Sequence, residues 1–523
     1  MSQFDYVVVG SGSGGSVVAR RLVDAGATVA LLEAGGRDDN PAIHDPCRWP
    51  ELPYSPEDWA WQTDPQEACY GRRLYWPRGK VLGGTSTMNG MAYIRGHPLD
   101  YDGWAYHGCP GWSWQDVLPL FKRSEDCDRG ENEWRGVGGP LHVMTRYEPH
   151  PLVAAMQEAC IEAGIPFNDD HNGRWELDGV GPSQLTIRDG RRQTASVAFV
   201  APVADSPNLT ILTGARALQL TFDGTRCRGV QVARDGGSEV VEAAEEVVVA
   251  AGTIESPRLL MLSGIGPAEE LAAHGIASRV DLPGVGRNLH DHLISFVLHG
   301  SPIPVPPVRP GLQHHHTHLF WRSRPGLRVP DTQPVCFHMP LGADWFDEPE
   351  HGWSLAPGLV RTQSRGAIRL TSADPTAPLS LDPRALTVGA DLDALAASVE
   401  LMREVGQQPA LAKWSSGEVY PGPEVRTRDE IRDYVRKTVG SYHHQVGTCK
   451  MGQDPDAVVD PELRVYGVEG LRVADASVMP FITTGNTNAP TFMIGEKASD
   501  LLLAAQGKEV VTGAAVALDS GRG

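Results

Sequence analysis

The sequence has no long apolar run, no C-x-x-C pair and too few basic residues to balance its acids. A membrane-spanning helix needs about 20 predominantly apolar residues. The longest candidate here, Val247 to Ala251, reads as a short buried strand, so no integral membrane segment is expected. The eight cysteines (Cys47, Cys69, Cys109, Cys127, Cys160, Cys227, Cys336 and Cys449) are scattered singly along 523 residues. That spacing argues against structural zinc, requires no disulfide and reads as free thiols. With 65 acidic against 46 basic residues the formal net charge is -19. A nucleic-acid partner would want a basic face, so the balance fits a soluble protein acting on small molecules. No internal repeat is present. The strand pattern that begins at Phe4 leaves no room for a signal peptide, and the cytoplasm is the expected address.

What is present is a globular composition, 41% hydrophobic and 21% charged, in a chain too long for one ordinary domain. Phe4 to Val9 is a β-branched run ending in Gly10. Helical spacing follows from Val17 to Ala25, and a second apolar strand runs from Thr28 to Leu32 and closes on Glu33. This is a β-α-β unit. Gly10, Gly12 and Gly15 form G-x-G-x-x-G between strand and helix. The first permits a tight turn, the second lets backbone approach a pyrophosphate, and the third packs helix on strand. A carboxylate at Glu33 suits a ribose diol. The unit therefore predicts dinucleotide binding, against the plainer reading of a tightly packed turn.

Residues 38–75, rich in Pro, Trp and charge, read as an ordered excursion. Paired strands are expected over Asn208 to Phe222 and Gly229 to Ala233, a buried strand over Glu245 to Ala251, and a helix beginning over Ser256 to Ser263, after Gly252. The proline-dense segment 301–310 marks a connection. Residues 311–440 predict a second, sheet-containing domain, with alternation at Ala367 to Leu370. A last helix is expected over Thr491 to Ala505.

Three further stretches carry chemistry. GGTSTMNG, residues 83–90, is a backbone-exposing loop that can lie against a flat ring with Asn89 as donor and acceptor, or can be an ordinary turn. His443 and His444 in SYHHQVGTCKMG, with Asn486 and Asn488 before the last helix, offer a proton acceptor and a hydroxyl-orienting amide. The plainer alternative is a capped helix beside two structural histidines. The positive end of the last helix favours any anion beyond Pro490. The HHHTH run, His314 to His318, reads first as surface decoration, next as cavity lining, and least as a metal site, because no Cys or carboxylate falls in it. Period-two geometry puts His314, His316 and His318 on one face.

Together these pieces resemble the glucose-methanol-choline oxidoreductase family over most of residues 4–505. The resemblance rests on VVVGSGSGGSVVARRL with LLEAG, RGKVLGGTSTMNGMAYIRG, GTIESPRLLMLSGIG, LPGVGRNLHDH, and SYHHQVGTCKMG with DASVMPFITTGNTNAPTFMIGEKASD. Residues 78–104 look most like the choline-dehydrogenase and alcohol-dehydrogenase branch. The resemblance implies an α/β fold: a Rossmann-like FAD-binding domain from residues 1–150, 190–300 and 441–505, and an α+β substrate domain with an antiparallel sheet from 151–189 and 301–440. A flexible tail is expected over 506–523. By motif match, Ser13 and Gly14 meet the pyrophosphate beside Gly10, Gly12 and Gly15. Glu33 and Ala34 meet the adenosine ribose, and Ala217 the adenine. Val81, Gly84, Asn89, Gly90, Met91 and Ala92 line the flavin, and Asp475 with Ala476 lies near the ribityl-pyrophosphate. His444 takes the place of the catalytic histidine and Asn486 that of its partner, while His443 is not the base. Met88 stands where some members carry a histidine bonded to FAD, so noncovalent FAD is expected.

The implied reaction is hydride transfer from an alcohol carbon to flavin N5, giving an aldehyde or ketone. Electrons then pass to oxygen or a quinone-like acceptor, with a dehydrogenase favoured over an oxidase. The alternatives are a lyase on the same flavin fold, as hydroxynitrile lyases are, and a non-catalytic nucleotide-binding scaffold. Substrate recognition is expected within 301–440, where Asp344, Trp345, Phe346 and Asp347 are candidates for holding a cationic substrate.

Overall fold

The computed structural model describes residues 3–508. Of the tail expected from residue 506, everything beyond Lys508 lies outside the described residues. Gln3–Val9 forms a central strand with Val7 and Val8 fully buried, as a strand covered on both faces requires. It pairs in parallel with Val29–Leu32 on one side and Gly237–Val249 on the other. Leu209–Leu212 and Leu471–Val473 extend the parallel set at either end. Arg216–Asp223 and Arg226–Arg234 add an antiparallel meander, completing a seven-stranded sheet. The strand pattern expected from Asn208 onward is thus two strands in different places. Backbone bonds from Gly214 and Ala215 to the carbonyls of Gly35 and Glu33 turn the chain between them.

The Ser13–Asp24 helix crosses over the sheet, burying Val17, Val18 and Leu22. The terminal helix, Asn488–Ala505, packs along it. Buried Glu496 ties the two together, accepting from Arg21 at 2.7 Å, Arg123 at 2.8 Å and the Ser124 hydroxyl at 2.6 Å.

A second, six-stranded sheet is antiparallel throughout. It runs Gly417–Tyr420, Val297–Gly300, Gly352–Ala356, Val335–Phe337, His315–Phe320, Gly179–Pro182. Val297–Gly300, expected with the first domain, is a central strand here. Ala367–Arg369, expected to exemplify this sheet, instead forms a separate ribbon with Ser380–Asp382. The Pro151–Glu162 and Gly389–Gly406 helices pack against the strands of this second sheet.

The histidine run is buried rather than decorative: His315, His316 and His318 are all sealed in. A register shift between His315 and His318 breaks the strict alternation that would put His314, His316 and His318 together. His314 Nε2 bonds the Cys47 carbonyl, and His316 Nδ1 accepts from the His150 amide. His315 is the member that reaches the cavity described below. Among the described residues no group of three or more His, Cys, Asp or Glu side chains is arranged to hold a metal ion. The eight cysteines are free thiols, all buried except the half-buried Cys47.

Candidate active site

Four strands of the first sheet, ending at Val9, Leu32, Val249 and Val473, deliver Gly10, Glu33, Ala250 and Asp475 to one edge. A ligand in an open α/β sheet sits at this carboxyl edge. A cavity of about 500 Å³ lies there, and residues of the second sheet, His315 and Phe337, form part of its wall. The Val9 turn is built for close approach. Gly10 has φ +102°, and a Cβ on Gly15 would stand 1.9 Å from the Gly10 carbonyl oxygen. A Cβ on Gly12 would meet nothing within 4 Å, so its backbone faces open space. The helix behind it carries no side-chain cap at Gly12 and no acid in its first turn, which leaves its amide dipole free for a phosphate. The terminal helix likewise has no side-chain cap at Thr487, and Thr487, Asn488 and Thr491 all line the cavity.

Glu33 is buried and already holds three donors: the Ser11 hydroxyl at 2.6 Å, the Ser11 amide and the Gly35 amide. Burial pushes its carboxyl above the usual range despite those bonds. Asp475 accepts from Gly252, Ser256 and Ser477, pinning the Gly252 helix to the strand end.

Of the expected cofactor residues, Gly10, Gly12, Ser13, Gly14, Glu33, Ala34, Gly84, Asn89, Gly90, Ala92, Ala217, Asp475 and Ala476 line this one cavity. Three do not. Gly15 faces the Gly10 carbonyl, where it allows helix and strand to touch. Val81 packs with Ala42, Ile43, Leu52 and Met88, and Met91 turns away at φ +57° to pack on Leu185 and Ile187. Along this loop, residues that line the cavity alternate with residues packed away from it. Arg78, the 250–255 segment and Ala215 also line the cavity and were not singled out.

His444 and Asn486 come from segments 42 residues apart and meet at 3.2 Å, Asn486 Nδ2 to His444 Nε2. Gln333 Nε2 donates to Asn486 Oδ1 at 3.0 Å and so turns the amide nitrogen toward the histidine. The other ring nitrogen, His444 Nδ1, faces His292 Nδ1 at 3.0 Å. One of those two nitrogens carries the proton. With Asn486 donating to Nε2, the proton sits on His444 Nδ1 and is donated to His292, leaving a lone pair on Nε2. Asp291 accepts from the His444 amide at 2.8 Å and from Gln445 Nε2 at 2.7 Å, fixing the loop, and burial pushes it up to about 6. Burial, then the neighbouring His292, His443 and Arg78, holds the His444 pKa well below the ordinary value. His443, at φ +68°, gives its carbonyl to Arg78 and makes no bond to Asn486. His292, Gln333 and Asp291 were missed individually. The signal for His292 and Asp291 lay in the LHDH run, two histidines flanking an acid; Gln333 stands in no motif.

Asp344 to Asp347 lie off the cavity: Asp344 and Asp347 are exposed, and Phe346 stacks on Tyr420 at 3.9 Å.

The GMC oxidoreductase family models match residues 4–294 and 362–495. Among curated relatives, the oxygen-dependent choline dehydrogenase of Brucella ovis is 40% identical, with 95% of each chain covered. That of Sinorhizobium medicae is also 40% identical, over 96% of each. Among solved structures, pyridoxine 4-oxidase from Mesorbium loti superposes with a TM-score of 0.91 at 38% identity, covering 95% of this chain and 98% of its own. A formate oxidase does so with a TM-score of 0.89 at 27% identity, covering 97% and 99%. With matched models over most of its length and relatives at this identity across nearly all of it, the chain belongs to the GMC oxidoreductase family.

Proposed function

We propose that His444 is the proton acceptor and Asn486 its orienting partner in the oxidation of an alcohol. The reaction class comes with the family: the chain is an FAD-dependent alcohol oxidoreductase, converting an alcohol to an aldehyde or ketone. The residues at the cavity suit FAD. Gly12 and the two uncapped helix ends receive the pyrophosphate and the flavin, and Glu33 the ribose. Met88 has no group that can bond the ring, and the cofactor is noncovalent. When bound, FAD supplies the hydride acceptor.

The observation that carries the assignment is the oriented chain from Gln333 through Asn486 to His444 Nε2. The single lone pair of His444 Nε2 is held by Asn486 Nδ2 until a hydroxyl enters between them; that hydroxyl donates to Nε2 and accepts from Nδ2 in place of the direct bond. His444 is neutral at pH 7 because burial disfavours the imidazolium. Such a ring holds a proton only while negative charge develops beside it, so O–H and C–H cleavage are coupled. Its Nδ1–H then leans on His292, which spreads the charge.

Nothing in the site favours a lyase. The names of the relatives point to choline, and that of the pyridoxine 4-oxidase to a hydroxymethyl-bearing ring. The test is anaerobic bleaching of the flavin band by alcohols, with His444→Ala beside the parent. Reduction is expected to fall by about 10²- to 10⁴-fold with FAD retained. Fast reduction in that variant refutes the assignment. Readmitting air then tells an oxygen-using enzyme from one that needs a quinone-like acceptor.

A further inference from the structure

Beyond His444, the cavity wall is formed by Trp49, Ile294, Phe296, Phe337, Leu341 and Tyr442. These six belong to one apolar cluster that also contains Val335 and Ala356. Tyr442 fixes the position of this wall relative to the chemistry: its ring stacks on His444 at 4.9 Å and 20°. The wall therefore faces whatever body carries the hydroxyl.

The charges around it are as telling as the rings. Among the described residues three carboxylates line the cavity, and each is committed at the carboxyl edge of the first sheet. Glu33 holds Ser11 and Gly35, Asp475 holds Gly252 and Ser256, and Glu255 holds Arg258 at 2.8 Å. At the wall's end the charged side chain is a cation, Arg78, bonded to the His443 carbonyl at 2.9 Å. The two acids near it, Asp291 and Asp58, are outside the lining: Asp291 accepts from Ser441, Gln445 and the His444 amide, and Asp58 from the amides of Tyr54, Ala60 and Arg78 and the Tyr75 hydroxyl. His315, His443 and His444 are held neutral by burial.

We infer that the substrate is a neutral alcohol with an aromatic body, and that cationic alcohols of the choline type are selected against. A quaternary ammonium here would lose its water next to Arg78 and gain no anion. Ring faces return about 0.5–2 kcal/mol to a cation, whereas stripping water from an uncompensated ion costs several kcal/mol. A neutral ring gains on both counts, from apolar area and from edge or offset contacts with Trp49, Phe296, Phe337 and Tyr442. The inference rests on the His444/Asn486 reading for where the hydroxyl sits. The step it implies is balanced: the O–H proton goes to His444, the carbinol hydride to FAD, and the product is a neutral aromatic aldehyde or ketone.

The experiment uses the FAD-loaded enzyme without oxygen. Benzyl alcohol and its ring-substituted derivatives are compared with choline as reductants of the flavin, and benzamide is titrated as an unreactive, neutral aromatic ligand by its shift of the flavin spectrum. The aryl alcohols are expected to reduce the flavin at least about 100-fold more efficiently than choline. Choline as good as or better than every aryl alcohol overturns the inference while leaving the base assignment standing. If benzamide shifts the spectrum but no alcohol reduces the flavin, the aromatic site stands and the oxidation reading falls. If benzamide has no effect and no aryl alcohol reduces, the inference is overturned. Ile294→Glu, which puts an acid on this wall and is checked for retained FAD, is expected to narrow the aryl-to-choline ratio at least about 10-fold; an unchanged ratio overturns the argument from the missing acid.

Discussion

Lowering the pH from 7 to 5 should strip the fold of much of its stability, through histidines buried in and beside the second sheet. His171, His299 and His316 are each nearly inaccessible, and desolvation lowers each to about 4. Their settings explain why. His299 lies flat on Trp353 at 4.2 Å and 2°, with Gly406 against its edge. His316 accepts the His150 amide through Nδ1, a bond that a proton there would destroy. His171 reaches only the Gly179 carbonyl. A histidine whose folded pKa is depressed binds its proton more readily when unfolded, so stability falls as pH drops below the unfolded value near 6.5. For a folded value of about 4 the loss between pH 7 and pH 5 is about 2 kcal/mol per residue, or about 5–6 kcal/mol for the three. Asp291, pushed up to about 6, acts in the opposite sense and returns about 1 kcal/mol. Carboxylates held below their usual range, such as Asp170 and Glu496, lose their contribution only at lower pH and stay out of this window. The remainder is of the same order as the whole stability of a typical domain. Urea unfolding followed by tryptophan fluorescence at pH 7 and pH 5 measures it, and His299→Phe, which keeps the stack on Trp353, should bring the two midpoints closer. Equal stability at both pH values, or greater stability at pH 5, would refute the reasoning.

Gly15→Ala puts a methyl 1.9 Å from the Gly10 carbonyl, and the protein should be isolated with little or no flavin absorbance. Glu496→Gln leaves Arg21 and Arg123 facing a neutral amide inside the helix seam. A loss of about 3–5 kcal/mol is expected, read as a lower thermal midpoint. His292→Leu removes the acceptor for His444 Nδ1–H, so flavin reduction should slow about 10²-fold with KM little changed, and His292→Asn should restore part of it. Because the His444 pKa is held well below its ordinary value, stopped-flow flavin reduction should be level from pH 6.5 to 9. A rise across that range would mean that His444 titrates there.

How much of this was legible depended on whether a signal was local. The β-α-β turn at Gly10 and the Gly252 and terminal helices read directly, because strand, turn and helix chemistry sit within a few residues of one another. The second sheet did not, since its strands, from Gly179 to Tyr420, pair across long separations and Val297–Gly300 lies before the proline-dense segment that looked like a boundary. His444 and Asn486 were found by motif, whereas Gln333 and His292 were not, because what makes them matter is the direction of a hydrogen bond. Asp344 to Asp347 failed for the opposite reason: their composition suits a cation, but Phe346 is spent on Tyr420 and the acids face solvent.

Among the described residues, the two sheets that supply the cavity's walls share no hydrogen-bonded strand. One buried core runs through both, joining Val7 and Val248 to Val297 and Leu355, and whatever fills the cavity between Gly12 and His315 adds a further tie by mass action. A ligand present at a hundred times its Kd adds about 2.7 kcal/mol to the folded state. The abundance of this protein in a cell should follow its flavin supply, and a shortage of the cofactor would be felt first as turnover of the chain by proteases and only then as lost oxidation.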